Sequence, residues 1–170
     1  MSSTDEQAYV LILEDDPDQM DLFVGLVMNE LRQLIDADDT PDDIKSRFKR
    51  VGILKLNNIE SLKRAAKEYQ GVVLMIMDCN VPARRGKPPE DQFIKEKHRI
   101  TGQHRSVDIA LKDFRGAPII LTSSMDRFKT MVTQYYRNQA DLNLRFFRKS
   151  DIEGIQKALR KRLLSAFKSN

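Results

Sequence analysis

The chain has 170 residues, of which 41% are hydrophobic and 32% are charged, and its formal net charge is +4. This composition excludes a disordered or fibrous chain. No apolar run reaches the roughly 18 residues of a membrane span. The polar N-terminal sequence does not resemble a secretory signal. The single cysteine, Cys79, excludes a disulfide-stapled fold and favours a reducing compartment. We therefore expect one cytoplasmic globular domain over residues 1–170. We expect no nucleic-acid partner, because the basic surplus has no interleaved aromatic residues.

The first predicted element is a strand at Tyr9–Leu13, a short apolar run typical of a strand buried on both faces of a sheet. Asp16 is predicted to cap the following helix, with Pro17 at its first position. Apolar residues then recur at spacings of three and four as far as Ile35, which predicts one amphipathic helix. Residues 36–43, with the sequence DADDTPDD, predict a polar loop that ends this helix.

The rest of the chain alternates between strand and helix patterns. Further strands are predicted at residues 51–56, 72–77, 117–122 and 144–148, and further helices at residues 59–69, 107–114, 126–139 and 152–167. Five strands alternating with five helices predict an α/β fold, a doubly wound parallel sheet with helices on both faces. Ligands of such folds bind beyond the carboxyl ends of the strands.

Polar residues stand at the carboxyl ends of the predicted strands, where a parallel sheet would bring them together. They are Asp15 and Asp16 after the first strand, Asp78 after the third, Thr122, Ser123 and Ser124 at the end of the fourth, and Lys149 after the fifth. Three carboxylates in one pocket raise one another's pKa unless cations neutralise them. Mg²⁺ and Lys149 would do so, and an aspartate beside Mg²⁺ can attack a phosphoryl group to form an acyl phosphate.

Four motifs around these residues resemble those of response-regulator receiver domains, the CheY-like family with a flavodoxin-like fold. They are Leu-Ile-Leu-Glu-Asp-Asp at 11–16, Asp-Cys-Asn-Val-Pro at 78–82, Ile-Leu-Thr-Ser at 120–123 and Phe-Phe-Arg-Lys at 146–149, in the family's order. The resemblance implies the strand order 2-1-3-4-5 and phosphorylation of Asp78. It also implies a Mg²⁺ ion bound by Asp15, Asp16, Asp78 and the backbone carbonyl of Asn80.

The resemblance assigns roles to further residues. Lys149 would contact the phosphoryl group, Phe146 would be the switch aromatic residue, and Thr122 would be the switch hydroxyl. Counting from the proline of the fourth strand favours Ser123 as that hydroxyl instead. The family usually has proline after the lysine, often with a cis peptide bond, and Ser150 stands there in this chain. A cis bond without proline costs about 3 kcal/mol, so the geometry of this peptide stays open.

Two insertions distinguish the chain from a typical receiver of about 120 residues. One lies near residues 36–50. The other covers residues 83–99 if Gly102, rather than Gly86, is the family's glycine. We prefer Gly102, because its distance to the fourth strand leaves room for the third helix.

The second insertion follows Asp78 closely and carries the cations Arg84, Arg85 and Lys87. These side chains predict either a solvated basic loop or a loop that gates Asp78 or docks an acidic partner.

The resemblance implies a stand-alone receiver without an output domain. It would accept a phosphoryl group from a histidine kinase or phosphotransfer protein, signal to a downstream protein target, and allow a homodimer. Such a domain catalyses its own phosphorylation and dephosphorylation but is not a conventional enzyme. The alternative is a receiver-like interaction module that signals without phosphorylation. An aspartyl-phosphate phosphohydrolase is disfavoured, because Asn80 stands where that class needs a second acid.

Overall fold

A sheet of five parallel strands forms the centre of the chain in the computed structural model, which describes residues 7–114, 116–138 and 143–168. Along the chain the strands are β1 (Tyr9–Leu13), β2 (Gly52–Leu56), β3 (Val72–Asp78), β4 (Asn80–Val81), β5 (Glu90–Asp91), β6 (Phe93–Glu96), β7 (Arg99–His104), β8 (Ile119–Ser123) and β9 (Leu144–Arg148). The helices are α1 (Pro17–Asp36), α2 (Asp42–Phe48), α3 (Ile59–Glu68), α4 (Arg105–Asp113), α5 (Arg127–Tyr135) and α6 (Ile152–Lys168).

The central sheet has the order β2-β1-β3-β8-β9, and all of its pairings are parallel. This confirms the predicted fold class and the order 2-1-3-4-5, because β8 and β9 are the fourth and fifth predicted strands. The described residues form six helices rather than the predicted five, since residues 36–50 contain α2. In this part of the chain no helix is both long and apolar enough to cross a membrane.

The predicted elements of the central fold lie close to the observed ones. The largest difference is the helix predicted at residues 126–139, which corresponds to α5 and ends at Tyr135. Residue 139 itself lies outside the described residues. The N-terminal end of α1 is confirmed, because the Asp16 side chain accepts hydrogen bonds from the N–H groups of Asp18 and Gln19.

Helices cover both faces of the sheet because its strands are apolar on both. On one face Val10 and Ile12 of β1 pack with residues of α1, α2 and α6. On the other face Leu11 and Leu13 pack with residues of α3, α4 and α5. Successive side chains of a strand point to opposite faces, so each central strand contributes to both cores.

The first insertion contains a helix, α2, and is therefore not a loop over its whole length. Ile44 and Phe48 of α2 are buried, and the Phe48 ring meets the Phe167 ring edge to face at a centroid distance of 5.0 Å. These two apolar residues are four apart and therefore lie on one side of a helix. The acidic residues around them conceal this pattern, which explains why residues 36–43 predict only a polar loop.

The second insertion begins with an exposed turn at residues 84–89 and then forms β structure. Two short antiparallel pairs, β4 with β5 and β6 with β7, cover the segment that follows Asp78. The β6–β7 hairpin turns at Lys97 and His98, whose φ angles of 46° and 67° are positive. Its residue Phe93 is buried against Phe128 of α5, with a ring-centroid distance of 4.5 Å.

Gly102 allows the β6–β7 hairpin to lie directly against α5. A Cβ atom at this position would come within 2.4 Å of the Met131 carbonyl oxygen, and the φ angle of Gly102 is +91°. Both the space and the backbone conformation therefore require glycine. Gly86 also has a positive φ, of +79°, but nothing lies within 4 Å of the position of its Cβ.

Gly102→Ala is expected to destabilise the protein by about 2 kcal/mol more than Gly86→Ala, because both substitutions strain the backbone but only the first creates a clash. Urea unfolding of the two variants and the wild type measures this difference. Equal losses of unfolding free energy would contradict the close packing of β7 against α5.

Candidate functional site

An acidic cluster lies at the carboxyl ends of β1 and β3. Carboxylate oxygens of Glu14, Asp15 and Asp78 all lie within 4.8 Å of one another. The Lys149 ammonium, which follows β9, enters the same cluster. Its Nζ atom lies 2.9 Å from Asp78 Oδ2 and 2.7 Å from Glu14 Oε2. Two of the predicted acids, Asp15 and Asp78, are thus brought together with Lys149, and Glu14 joins them.

Glu14 is a site residue that the sequence analysis did not assign. It is 1% exposed, and its N–H donates to the Leu56 carbonyl, so it continues the pairing of β1 with β2. The Glu14 pKa is raised to about 7. Burial is the largest cause and the charge of Asp78 the second, and together they outweigh the lowering effect of Lys149. A sequence signal for Glu14 is its position two residues after the apolar Ile12. Alternate residues of a strand share a face, so Glu14 is expected to point inward as Ile12 does.

Asp16 lies outside this cluster. Its side chain is occupied as the N-cap of α1, where Oδ1 accepts from the N–H groups of Asp18 at 2.9 Å and Gln19 at 3.3 Å. Asp16 is also exposed, whereas Glu14 is buried. The structure therefore favours Glu14 and Asp15, rather than Asp15 and Asp16, as the acidic pair beside Asp78.

Asp78 is a buried carboxyl with a close cationic partner. Its side chain is 5% exposed. Burial raises the pKa of Asp78, while Lys149 and the backbone N–H of Asn80 lower it. Burial also raises the pKa of the half-buried Asp15. The site thus holds three carboxyl groups and one lysine. A bound cation would neutralise the excess of acidic groups.

The backbone carbonyl of Asn80 points away from its partner strand. Asn80 faces Asp91 across the β4–β5 pair, and the neighbouring hydrogen bond runs from the Gln92 N–H to the Cys79 carbonyl, 3.2 Å. Asn80 therefore occupies a non-hydrogen-bonded position of this antiparallel pair. Its carbonyl oxygen therefore does not pair with β5, and its role as a metal ligand stays a prediction.

The two candidate hydroxyls are buried but face different cores. Thr122 pairs in register with Asp78, and its Oγ1 donates to the Met77 carbonyl at 3.3 Å. Ser123 Oγ accepts from the Met125 N–H at 3.0 Å. By strand alternation, Ser123 shares the sheet face of Leu121, which belongs to the same core as Phe146. Only Ser123 lies on the sheet face where Phe146 is buried.

Lys149 reaches the acidic cluster without a cis peptide bond. The described residues contain no cis peptide, so the Lys149–Ser150 bond is trans. The Lys149 N–H donates to the Ser123 carbonyl at 3.0 Å, which continues the pairing of β9 with β8 to the edge of the site. The sheet itself therefore positions the ammonium group.

The predicted partner loop is a tight turn anchored to α3. The carbonyl oxygens of Pro82 and Ala83, which precede it, accept from the N–H groups of Ile59 and Glu60, at 3.0 and 3.1 Å. Arg84, Arg85 and Lys87 are all exposed on this turn. Whether these cations gate Asp78 or dock a partner stays a prediction.

Comparison with known proteins gives a structural likeness only. No protein-family model matches the sequence, and no curated protein matches it. The signal receiver domain of an HD domain-containing protein from Pseudomonas fluorescens Pf-5 matches with a TM-score of 0.58 and 9% identity, over 98% of this chain and 93% of that one. A response regulator receiver protein from Sinorhizobium medicae WSM419 matches with a TM-score of 0.55 and 10% identity, over 95% and 98%.

A third solved structure is the receiver domain of a sensor histidine kinase from Pseudomonas aeruginosa PAO1, with a magnesium ion coordinated in its active-site cleft. It matches with a TM-score of 0.52 and 16% identity, over 92% of this chain and 97% of that one. These likenesses show that the chain has the receiver-domain fold, and the resemblance seen in the motifs is confirmed at that level.

Glu14→Gln is expected to weaken the pH dependence of stability in Mg²⁺-free buffer. Because the Glu14 pKa is raised from 4.5 to about 7, the folded protein keeps a proton that the unfolded chain releases. The free energy of unfolding therefore falls as the pH rises from about 4.5 to about 7, by about 3 kcal/mol for this group. Urea unfolding near pH 5 and pH 8 measures the change.

Asp16→Asn is the matched control for this experiment, because asparagine caps a helix as well as aspartate does. It should keep the pH dependence of the wild type. The same pH dependence in the Glu14→Gln variant as in the wild type would contradict the raised pKa of Glu14.

Proposed function

We propose that this protein is a receiver of a two-component system, in which Asp78 accepts a phosphoryl group. The observation that carries the proposal is the position of Lys149 Nζ, 2.9 Å from Asp78 Oδ2 and 2.7 Å from Glu14 Oε2, beside a third carboxylate, Asp15. A nucleophilic carboxylate, two further acids and a lysine are the groups that acyl-phosphate formation with a divalent cation needs.

The residues of the acidic cluster fit a Mg²⁺ ion. Glu14, Asp15 and Asp78 offer hard oxygen atoms within 4.8 Å of one another. Opposite ligands of an octahedral Mg²⁺ ion lie about 4.2 Å apart, so small side-chain rotations suffice. The Asn80 carbonyl would be a further ligand. When bound, the ion would neutralise negative charge on the transferring phosphoryl oxygens.

Phosphoryl transfer would use the Asp78 carboxylate as the nucleophile. A carboxylate oxygen attacks the phosphorus atom of a phosphohistidine on the donor protein, and an acyl phosphate forms as the P–N bond breaks. The imidazole, already protonated on its other ring nitrogen, takes the electron pair of the P–N bond and leaves as a neutral ring. Before the reaction, burial raises the pKa of the Asp78 carboxyl and Lys149 lowers it, which favours the ionised, nucleophilic form. During transfer the ammonium group would move from the carboxylates toward a phosphoryl oxygen and stabilise its charge.

The signal would leave the site through Ser123 and Phe146. Ser123 stands at the carboxyl end of β8, beside the strand that ends in Asp78. A phosphoryl oxygen on Asp78 would accept a hydrogen bond from its hydroxyl and draw the β8–α5 connection toward the site. Phe146, buried in the core on the same face, would repack in response. A downstream protein would read the resulting change at α5 and β9.

Acetyl phosphate tests the proposal with a donor that needs no partner protein. With Mg²⁺ present, intact-mass spectrometry is expected to show one added phosphoryl group on the wild type and none on Asp78→Asn. Asp16→Asn should be modified at a rate within about threefold of the wild type, because its side chain lies outside the cluster and the cap is kept. The modification should disappear when Mg²⁺ is chelated.

An unmodified wild type would contradict the proposal and favour an interaction module that signals without phosphorylation. Rapid turnover of many equivalents of acetyl phosphate would contradict it in favour of a phosphohydrolase.

Substitution of the two hydroxyls separates their roles. Ser123→Ala is expected to leave the Asp78 adduct intact but to abolish the change in the NMR signals of the Phe146 ring that beryllofluoride causes. Thr122→Val should keep that change, because the Thr122 hydroxyl donates to the Met77 carbonyl and lies on the opposite sheet face. The reverse pattern would assign the switch to Thr122.

A further inference from the structure

His104 connects the β6–β7 hairpin to the backbone beside Asp78. It is fully buried at the end of β7, and its Nε2 atom lies 3.2 Å from the carbonyl oxygen of Cys79. The same carbonyl oxygen accepts from the Gln92 N–H at 3.2 Å. Gln92, which follows β5, and His104, at the end of β7, therefore both contact this oxygen, which belongs to the residue directly after Asp78.

The His104 ring is a fixed hydrogen-bond donor. A carbonyl oxygen can only accept, so the contact with Cys79 requires a proton on Nε2. Burial lowers the His104 pKa to about 4, which keeps the ring neutral near pH 7. The other ring nitrogen, Nδ1, is buried without a hydrogen-bond partner among the described residues. The ring thus has one tautomer and one polar contact.

Several contacts hold His104 in this orientation. Its backbone N–H donates to the Tyr136 hydroxyl at 2.9 Å, and that hydroxyl lies 2.7 Å from Asp108 Oδ1. The imidazole ring meets the Phe93 ring edge to face at a centroid distance of 4.8 Å. The donor is therefore part of a packed unit formed by the hairpin, α4 and the end of α5.

The carbonyl of Cys79 and the N–H of Asn80 belong to one planar peptide unit. The N–H end of this unit faces the Asp78 carboxyl group and lowers its pKa, against the effect of burial. The contact on the carbonyl end consequently controls the direction of the N–H end. A hydrogen bond at the carbonyl also polarises the peptide and strengthens the bond that its N–H donates.

We propose that His104 is a positioning residue for the phosphoacceptor: by holding the Cys79 carbonyl, it fixes the peptide that presents the Asn80 N–H to Asp78 and aims the Asn80 carbonyl at the metal site. The β6–β7 hairpin is then a scaffold of the site. The catalytic consequence rests on the proposed function, whereas the fixed peptide does not.

Three variants test this role. His104→Leu removes the donor, and His104→Gln keeps an N–H donor at a similar reach. Phe93→Leu loosens the same packing but leaves the imidazole in place. Amide hydrogen exchange of metal-free protein, followed by NMR, compares the protection of Asn80 with that of Met77 in β3.

His104→Leu is expected to lower the protection of the Asn80 amide about tenfold relative to that of Met77, the effect of one hydrogen bond. It should also weaken Mg²⁺ binding in calorimetry and slow modification by acetyl phosphate. His104→Gln should stay within about threefold of the wild type in all three measurements. Phe93→Leu should lower global stability without a selective loss at Asn80.

An equal loss of Asn80 protection in His104→Leu and Phe93→Leu would overturn the proposal. If the wild type is not modified by acetyl phosphate but Asn80 loses protection selectively in His104→Leu, the proposed function fails and the positioning role stands. If His104→Leu does not fold, the ¹⁵N signals of the wild-type imidazole decide. A proton on Nε2 supports the proposal, and a proton on Nδ1 overturns it.

Discussion

The ion pair of Lys149 with Asp78 and Glu14 is the interaction on which the site depends. A buried carboxylate without a partner is costly, and here three acids of one pocket share a single ammonium group at less than 3 Å from two of them. Parallel strands make this arrangement possible, because the ends of β1, β3 and β9 lie on one edge of the sheet. The proposed cation would compensate the remaining acidic groups of this pocket.

The central sheet and most of the site were predictable from local patterns. The apolar runs of β1 and β3 are long enough to indicate strands buried on both faces, and the residues that follow them must meet at one edge. Glu14 was missed because the motif contains three consecutive acids, and their letters alone do not show which side chain points inward. Strand alternation from Ile12 and the predicted capping role of Asp16 both pointed to Glu14, but the resemblance assigned the metal-binding role to Asp15 and Asp16.

The insertions were less predictable, for physical reasons. The apolar residues of α2 are only Ile44 and Phe48, too few for a periodic signal among acidic neighbours. The β6–β7 hairpin turns at Lys97 and His98, whose sequence carries none of the glycine or asparagine typical of a tight hairpin turn. The hairpin packs against α5, which is distant in sequence. Gly102 is the residue of the hairpin whose type reflects this close contact.

A structure determined with Mg²⁺ and beryllofluoride tests the central claim most directly. We predict an adduct on the Asp78 carboxylate, a metal ion beside Asp15 and Asp78, and the Lys149 ammonium moved from Glu14 to a fluorine atom of the adduct. An Asp78 side chain without an adduct, or a metal ion held by Asp16 away from Asp78, would contradict the account.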